Sequence, residues 1–116
     1  MEPATVDSFL HALALTESDD NPNAPLGDHG RALGRWQVHP DWLDEWSTHY
    51  RLTPVLSETW DSYIARVVGS FYCDHAPRGF SDVQVAMHFH LGHPALEGSA
   101  DWDKQYADRF SGFRSK

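Results

Sequence analysis

A single cysteine, Cys73, stands in the 116 residues, so no disulfide can form within the chain. That sets aside the small disulfide-stapled scaffold and suits a reducing compartment; Cys73 itself reads as a small buried hydrophobe. Basic residues are scarce as well. Nine Lys and Arg face seventeen Asp and Glu, and the formal net charge is −8 with the eight histidines neutral. Phosphate contacts need clustered Lys and Arg, and no such run exists, so nucleic acid is not an expected partner. The same charge repels anionic surfaces at long range. No stretch approaches the roughly 20 apolar residues of a membrane span, so membrane insertion is not expected. The opening "MEPATVDSFL" has neither a basic start nor a long apolar run, so no secretory leader is expected either. Repeats, low-complexity tracts and linkers are absent, and residues 1–116 read as one domain. No run alternates like a half-buried strand.

What the chain does have is rings: five Trp, six Phe and four Tyr. Each large ring buries much surface, so a chain of this length can close a firm core. Rings left over in a groove would suit sugars. The apolar spacing predicts a mostly α protein. A first helix covers roughly 7–18, capped by Asp7, with Phe9, Leu10, Leu13 and Ala14 as its stripe. Residues 19–34, rich in Asn, Asp, Pro and Gly, read as turns, with either a small hairpin or an irregular turn among them. Pro40 opens a short helix carrying Trp42, Leu43 and Trp46. Ser57 caps a longer one with Trp60, Ile64, Val67, Val68 and Phe71 inward, and "APRGFS" breaks it. Ser81 and Gln84 form a capping box before a helix that Gly92 and Pro94 end. Ser99 caps a last helix running through Trp102 and Tyr106 to about Phe110. Of Trp36, Trp42 and Trp46, two are expected in the core.

Other patterns carry less. His88, His90 and His93 crowd together in "HFHLGH", but His88 and His90 point about 200° apart on a helix and only His90 and His93 share a face, so no metal site is expected. His29, His39, His49 and His75 read as surface or loop residues. "GDHGRALG" lacks the lysine and preceding strand of a phosphate loop, and no nucleophile elbow exists. No cofactor is implied.

Glu17 ends the first helix where it leaves apolar neighbours. A carboxyl against apolar walls holds its proton to higher pH and can then give it to a leaving oxygen. The plain alternative is a solvated glutamate at a helix end.

In this region the chain resembles the lysozyme-like superfamily. Soluble lytic transglycosylases and their phage relatives carry a Glu-Ser pair at a helix end, a Pro and an Ala in the following loop, and then a Gly-x-x-Gln turn. Here these read Glu17-Ser18, Pro22, Ala24 and Gly34-Arg35-Trp36-Gln37-Val38. "GDHGRALGRWQVHPDW" is also similar to the invertebrate-type lysozyme pattern, with Asp28 in its Asp-x-Gly. Farther on, "HFHLG" stands where transglycosylases have Tyr-Asn-x-Gly, and Tyr106 where they have a late groove tyrosine. Arg35, Phe89 and His90 depart from the usual residues. The resemblance implies a compact lysozyme-like domain with a substrate groove. It implies cleavage of the β-1,4 bond between N-acetylmuramic acid and N-acetylglucosamine in peptidoglycan, reached after export or release by another route. Glu17 would be the general acid and Asp28 a second carboxylate, with Ser18, Gln37, Phe89, His90 and Tyr106 binding substrate, and the protein a monomer. The alternatives are a lytic transglycosylase, a glycosidase of chitin or of cationic chitosan, and a catalytically silent glycan-binding module.

Overall fold

The computed structural model describes residues 3–27 and 32–114, the side chains from residue 5 onward. Among the described residues five α-helices follow one another: α1 Pro3–Ser18, α2 Pro40–Tyr50, α3 Trp60–His75, α4 Asp82–Leu91 and α5 Lys104–Arg114, with a 3₁₀ turn at Ala76–Arg78 after α3. The mostly α architecture matches the reading of the sequence. No strand occurs among the described residues; the loop before α2 holds two isolated antiparallel bridges, Gly27 with Ala32 and Leu33 with Val38.

Several helix starts differ from expectation, each for a local reason. α1 begins at Pro3, so Asp7 lies inside it, beyond the orphan N–H groups a cap must satisfy. Thr59, not Ser57, caps α3 by accepting from the Ser62 N–H, and Ser57 sits in a left-handed turn at φ 74°. Ser99 donates to Asp101 within its own turn. Asp103 caps α5 instead, accepting from the Tyr106 N–H at 3.1 Å, so Trp102 precedes the helix. The capping box of Ser81 and Gln84 on α4 is present as read, and Gly92 ends that helix at φ 83°.

α3 is the centre of the core. Its Ile64, Val67, Val68 and Phe71 are buried with Phe9 and Leu13 of α1, Leu43 of α2, Val85, Ala86 and Phe89 of α4 and Phe110 of α5. Gly69 lets α1 cross α3 closely: a β-carbon there would stand 3.3 Å from Val6. Phe9 stacks on Tyr72 at 4.1 Å and meets Phe110 edge-on at 5.5 Å. Trp36 is buried, and Trp42 and Trp46 pack against the core while half-exposed. Two expectations fail here. Cys73 is exposed. His75 is buried, because α3 turns it inward, where its Nδ1–H donates to the Phe71 carbonyl at 2.8 Å.

Candidate functional site

The end of α1 anchors the loop that leads to α2. Asp19 and Asp20 both adopt left-handed backbone, at φ 58° and 62°, which a short polar side chain tolerates better than most. Their N–H groups return to the Leu15 and Ala14 carbonyls. Ser18 Oγ donates to the Arg35 carbonyl at 2.7 Å and accepts from the Asn21 N–H. Its hydroxyl therefore ties the end of α1 to the loop. Arg35 reinforces the tie with bonds to Asp20 at 2.7 Å and Asp61 at 2.9 Å. Trp36 completes it through an indole N–H to the Leu10 carbonyl at 2.9 Å. Arg35 thus joins the loop to the end of α1 and to α3.

With the loop anchored, an open cleft of about 560 Å³ forms between it, the start of α2 and the end of α4. Ala32, Gln37, Val38 and His39 come from the loop, Trp42 from α2, and Phe89, His90, Leu91 and Gly92 from α4 and its cap. Glu17 enters from α1 and is the only carboxylic acid among these lining residues. Ser18, expected to bind substrate, is not among them, because its hydroxyl is spent on the loop. Asp28, the sequence candidate for a second carboxylate, lies outside the described residues.

Glu17 is half-buried and points at α5. The Tyr106 hydroxyl donates to its Oε2 at 2.5 Å. Burial pushes the Glu17 carboxyl up to about 7, against the opposing pull of the Tyr106 bond and the positive charge of Arg109. Burial first, and then the adjacent Glu17, hold the Tyr106 phenol well above its usual range, so it remains a donor. Tyr106 does not itself line the cleft. His90 does, and its ring lies flat on that of Tyr106, centroids 3.8 Å apart and 8° from parallel.

Gln37 reaches the cleft with left-handed backbone at φ 50°. Its amide N–H₂ is already engaged, with the Gly34 carbonyl at 2.9 Å and more loosely the Pro25 carbonyl at 3.4 Å. The side-chain oxygen lies over Gly27, where a β-carbon would collide with it. Gln37 therefore braces the loop and borders the cleft at once. Phe89 is buried, with its ring edge-on to Trp42 at 4.9 Å. Trp42, His39 and Val38 carry no motif that marks them as cleft residues in the sequence; for Trp42 the ring type is the only signal, and in that Trp-rich stretch it points more to the core than to a groove. The Trp42 Nε1–H is the one buried side-chain polar atom without a hydrogen-bond partner among the described residues. The histidines of "HFHLGH" disperse: His90 donates to Asp103, His93 pairs with Asp101 and His88 packs among rings.

Chemically, the cleft presents a carboxyl that keeps its proton close to neutral pH, with the Trp42 and Phe89 rings in the same lining. Such a group can protonate a poor leaving oxygen in a bound ligand. No helix among the described residues is long and apolar enough to cross a membrane. In comparisons with known proteins, no family model matches the chain, and no curated protein or solved structure is detectably similar to it.

Proposed function

We propose that this protein cleaves the β-1,4 glycosidic bond between N-acetylmuramic acid and N-acetylglucosamine in peptidoglycan or a closely related aminosugar polymer, with Glu17 as general acid. The observation that carries the reading is Glu17 itself. It is the one carboxyl among the described lining residues of an open cleft, and burial keeps it protonated up to about pH 7. Three further features support it. The ordered Glu-Ser and Gly-x-x-Gln pattern resembles that of lysozyme-like enzymes. Trp42 and Phe89 offer apolar ring surface of the kind pyranose faces pack against. Gln37 and His90 bring polar atoms to the same cleft.

In this reading a glycan strand lies along the cleft with its scissile oxygen against the Glu17 carboxyl. Tyr106 holds Oε2, and the proton moves from Glu17 to the leaving sugar oxygen as the glycosidic bond breaks. Positive charge develops on the sugar ring and must be met by a nucleophile. In a hydrolase a second carboxylate attacks the sugar carbon or activates water, according to whether the two groups stand roughly 5 Å or roughly 6.5–9.5 Å apart. Asp28 remains the residue proposed for that role. In a lytic transglycosylase the 6-hydroxyl of muramic acid closes the ring instead, and one acid is enough. That second reading needs only the Glu17 carboxyl that lines the cleft.

The test uses Glu17→Gln and Asp28→Asn with mass spectrometry of peptidoglycan digests, and zymograms on peptidoglycan, chitin and chitosan in parallel. Glu17→Gln is expected to fold and lose turnover by roughly 10²–10⁴-fold; wild-type activity in that variant would remove the assignment. Reducing muramic ends that disappear in Asp28→Asn identify a hydrolase, and anhydro ends that persist identify a transglycosylase. Turnover confined to chitosan would move the substrate to a cationic polymer, in keeping with the acidic surface.

A further inference from the structure

Glu17 and Tyr106 meet across 89 residues of sequence; α5 packs on α1 through Phe110 and Phe9, and within that packing the phenol is held locally. Its position is fixed from two sides. Asp103 accepts the Tyr106 backbone N–H on Oδ1 at 3.1 Å, and on Oδ2 it accepts the His90 Nε2–H at 3.1 Å. His90, so held, lies flat against the Tyr106 ring. One carboxylate therefore sets both the start of α5, which carries the tyrosine, and the plate against its face. The donors it gathers also hold Asp103 below the usual carboxylate range, the Tyr106 backbone bond first, so it stays an acceptor throughout neutral pH.

We propose that His90 and Asp103 are positioning residues that clamp the Tyr106 ring, so that its hydroxyl holds one oxygen of Glu17 and leaves the other facing the cleft. The kinetic consequence rests on reading Glu17 as the general acid; the structural consequence does not. A phenol that donates to a carboxylate stabilises the ionised form and draws its titration downward. Burial alone would leave Glu17 protonated at still higher pH, and the clamped hydroxyl opposes it. The other groups near this pair are Arg109 of α5, which also favours the ionised form, and His39 of the loop, which shares the cleft with Glu17. Arg109 is independently tied to Asp19 and the Leu15 carbonyl, so changes at His90 leave it in place.

The geometry separates the two halves of the clamp. Asp103→Ser keeps a good helix cap but is too short to reach His90. His90→Phe keeps the stacked plate and loses the bond to Asp103. His90→Ala loses both. Tyr106→Phe removes the hydroxyl and sets the full size of the effect.

The readout is the titration of Glu17 followed by ¹³C NMR in protein labelled at the glutamate carboxyl, assigned by the signal missing in Glu17→Gln. Tyr106→Phe is expected to raise the midpoint by about one unit, the size of one hydrogen bond to a charged group. His90→Ala should raise it by a large part of that, Asp103→Ser by less, and His90→Phe least. An unshifted midpoint in His90→Ala and Asp103→Ser, with both proteins folded by thermal melting, would overturn the proposal. So would a shift in His90→Phe as large as in His90→Ala.

Turnover on peptidoglycan is measured on the same proteins. If the wild type is inactive and the NMR midpoints shift in that order, the clamp stands and the glycosidase reading falls. If the wild type is active and Glu17→Gln dead, the clamp variants should lower kcat more than they raise KM and move the alkaline limb of the pH–rate profile upward. Unchanged kcat and limb in His90→Ala would then count against the clamp alone.

Discussion

Burial holds two side chains neutral against their ordinary tendency, Glu17 at the cleft and His88 among the rings that join α2, α3 and α4. The carboxyl is pushed up to about 7; the imidazole is pushed down to about 4, with the nearby His75 and His93 adding to the effect of burial. Their surroundings differ. His88 meets Phe71 at 5.0 Å, His75 at 4.9 Å and Trp46 at 6.2 Å, all edge-on, and does not line the cleft. Glu17 meets Tyr106 on one side and open volume on the other. A displaced proton affinity is therefore no sign of chemistry by itself. What separates the two sites is room for a ligand beside the displaced group.

The sharpest way to break this comparison is to neutralise each site in turn. Glu17→Gln should cost roughly 10²–10⁴-fold in turnover while leaving the melting temperature at or above that of the wild type. Phe71→Ala opens the ring cluster at a fully buried position and should cost about 3–5 kcal/mol of stability in chemical denaturation. If Glu17→Gln instead unfolds the domain, the cleft carboxyl is structural and the contrast collapses.

The pH dependence of stability sharpens it further, because the two groups pull in opposite directions. Glu17 has its folded value raised from 4.5 to about 7. The unfolded chain therefore loses this proton first, and stability falls as pH rises from about 4.5 to about 7, then levels. His88 has its folded value lowered from 6.5 to about 4. Its contribution is complete above 6.5 and is lost as pH falls toward 4. The upper limb, from Glu17, and the lower limb, from His88, overlap between about 4.5 and 6.5, where their opposite slopes offset each other in the wild type. Glu17→Gln should remove the upper limb, gaining on the order of 1 kcal/mol at pH 8, since the carboxyl still borders cleft solvent. His88→Phe should flatten the lower one. Melting curves across pH 4 to 8 check both, and a Glu17→Gln curve parallel to the wild type would mean that Glu17 does not hold its proton in the fold.

The smallest effect is the most specific. Gly27→Ala places a methyl where the Gln37 side-chain oxygen lies. That oxygen is the far end of a flexible chain and can swing away, so the stability loss should stay below about 1 kcal/mol. Gln37 would nevertheless lose its seat, and oligosaccharide binding followed by NMR should weaken. Unchanged binding would reduce Gln37 to a brace of the loop.

Part of the fold and of the cleft is legible in the sequence. Ser81 and Gln84 announce α4, because a capping box satisfies N–H groups within a few residues of itself. The α3 stripe is visible for the same local reason. The start of α5 is not: Ser99 and Asp103 are both good caps, and the turn through residues 96–102 engages Ser99 before the helix starts. Cys73 and His75 exchange their expected burial because they lie two apart on α3, and the inward face there is set by Trp46 and His88 of other helices.

By itself, the sequence determined what depends on neighbours along the chain. It set the mostly helical content, the end of the first helix at Glu17-Ser18, the turn-rich loop and the lack of basic runs and of long apolar runs. Tertiary structure decided what depends on distance. It brought Tyr106 to Glu17, laid His90 on Tyr106, gave Arg35 its two carboxylates and put Trp42 beside the cleft. The displaced proton affinity of Glu17 belongs to the second group, because desolvation is a property of the volume around a carboxyl, and that volume is filled by residues from across the chain.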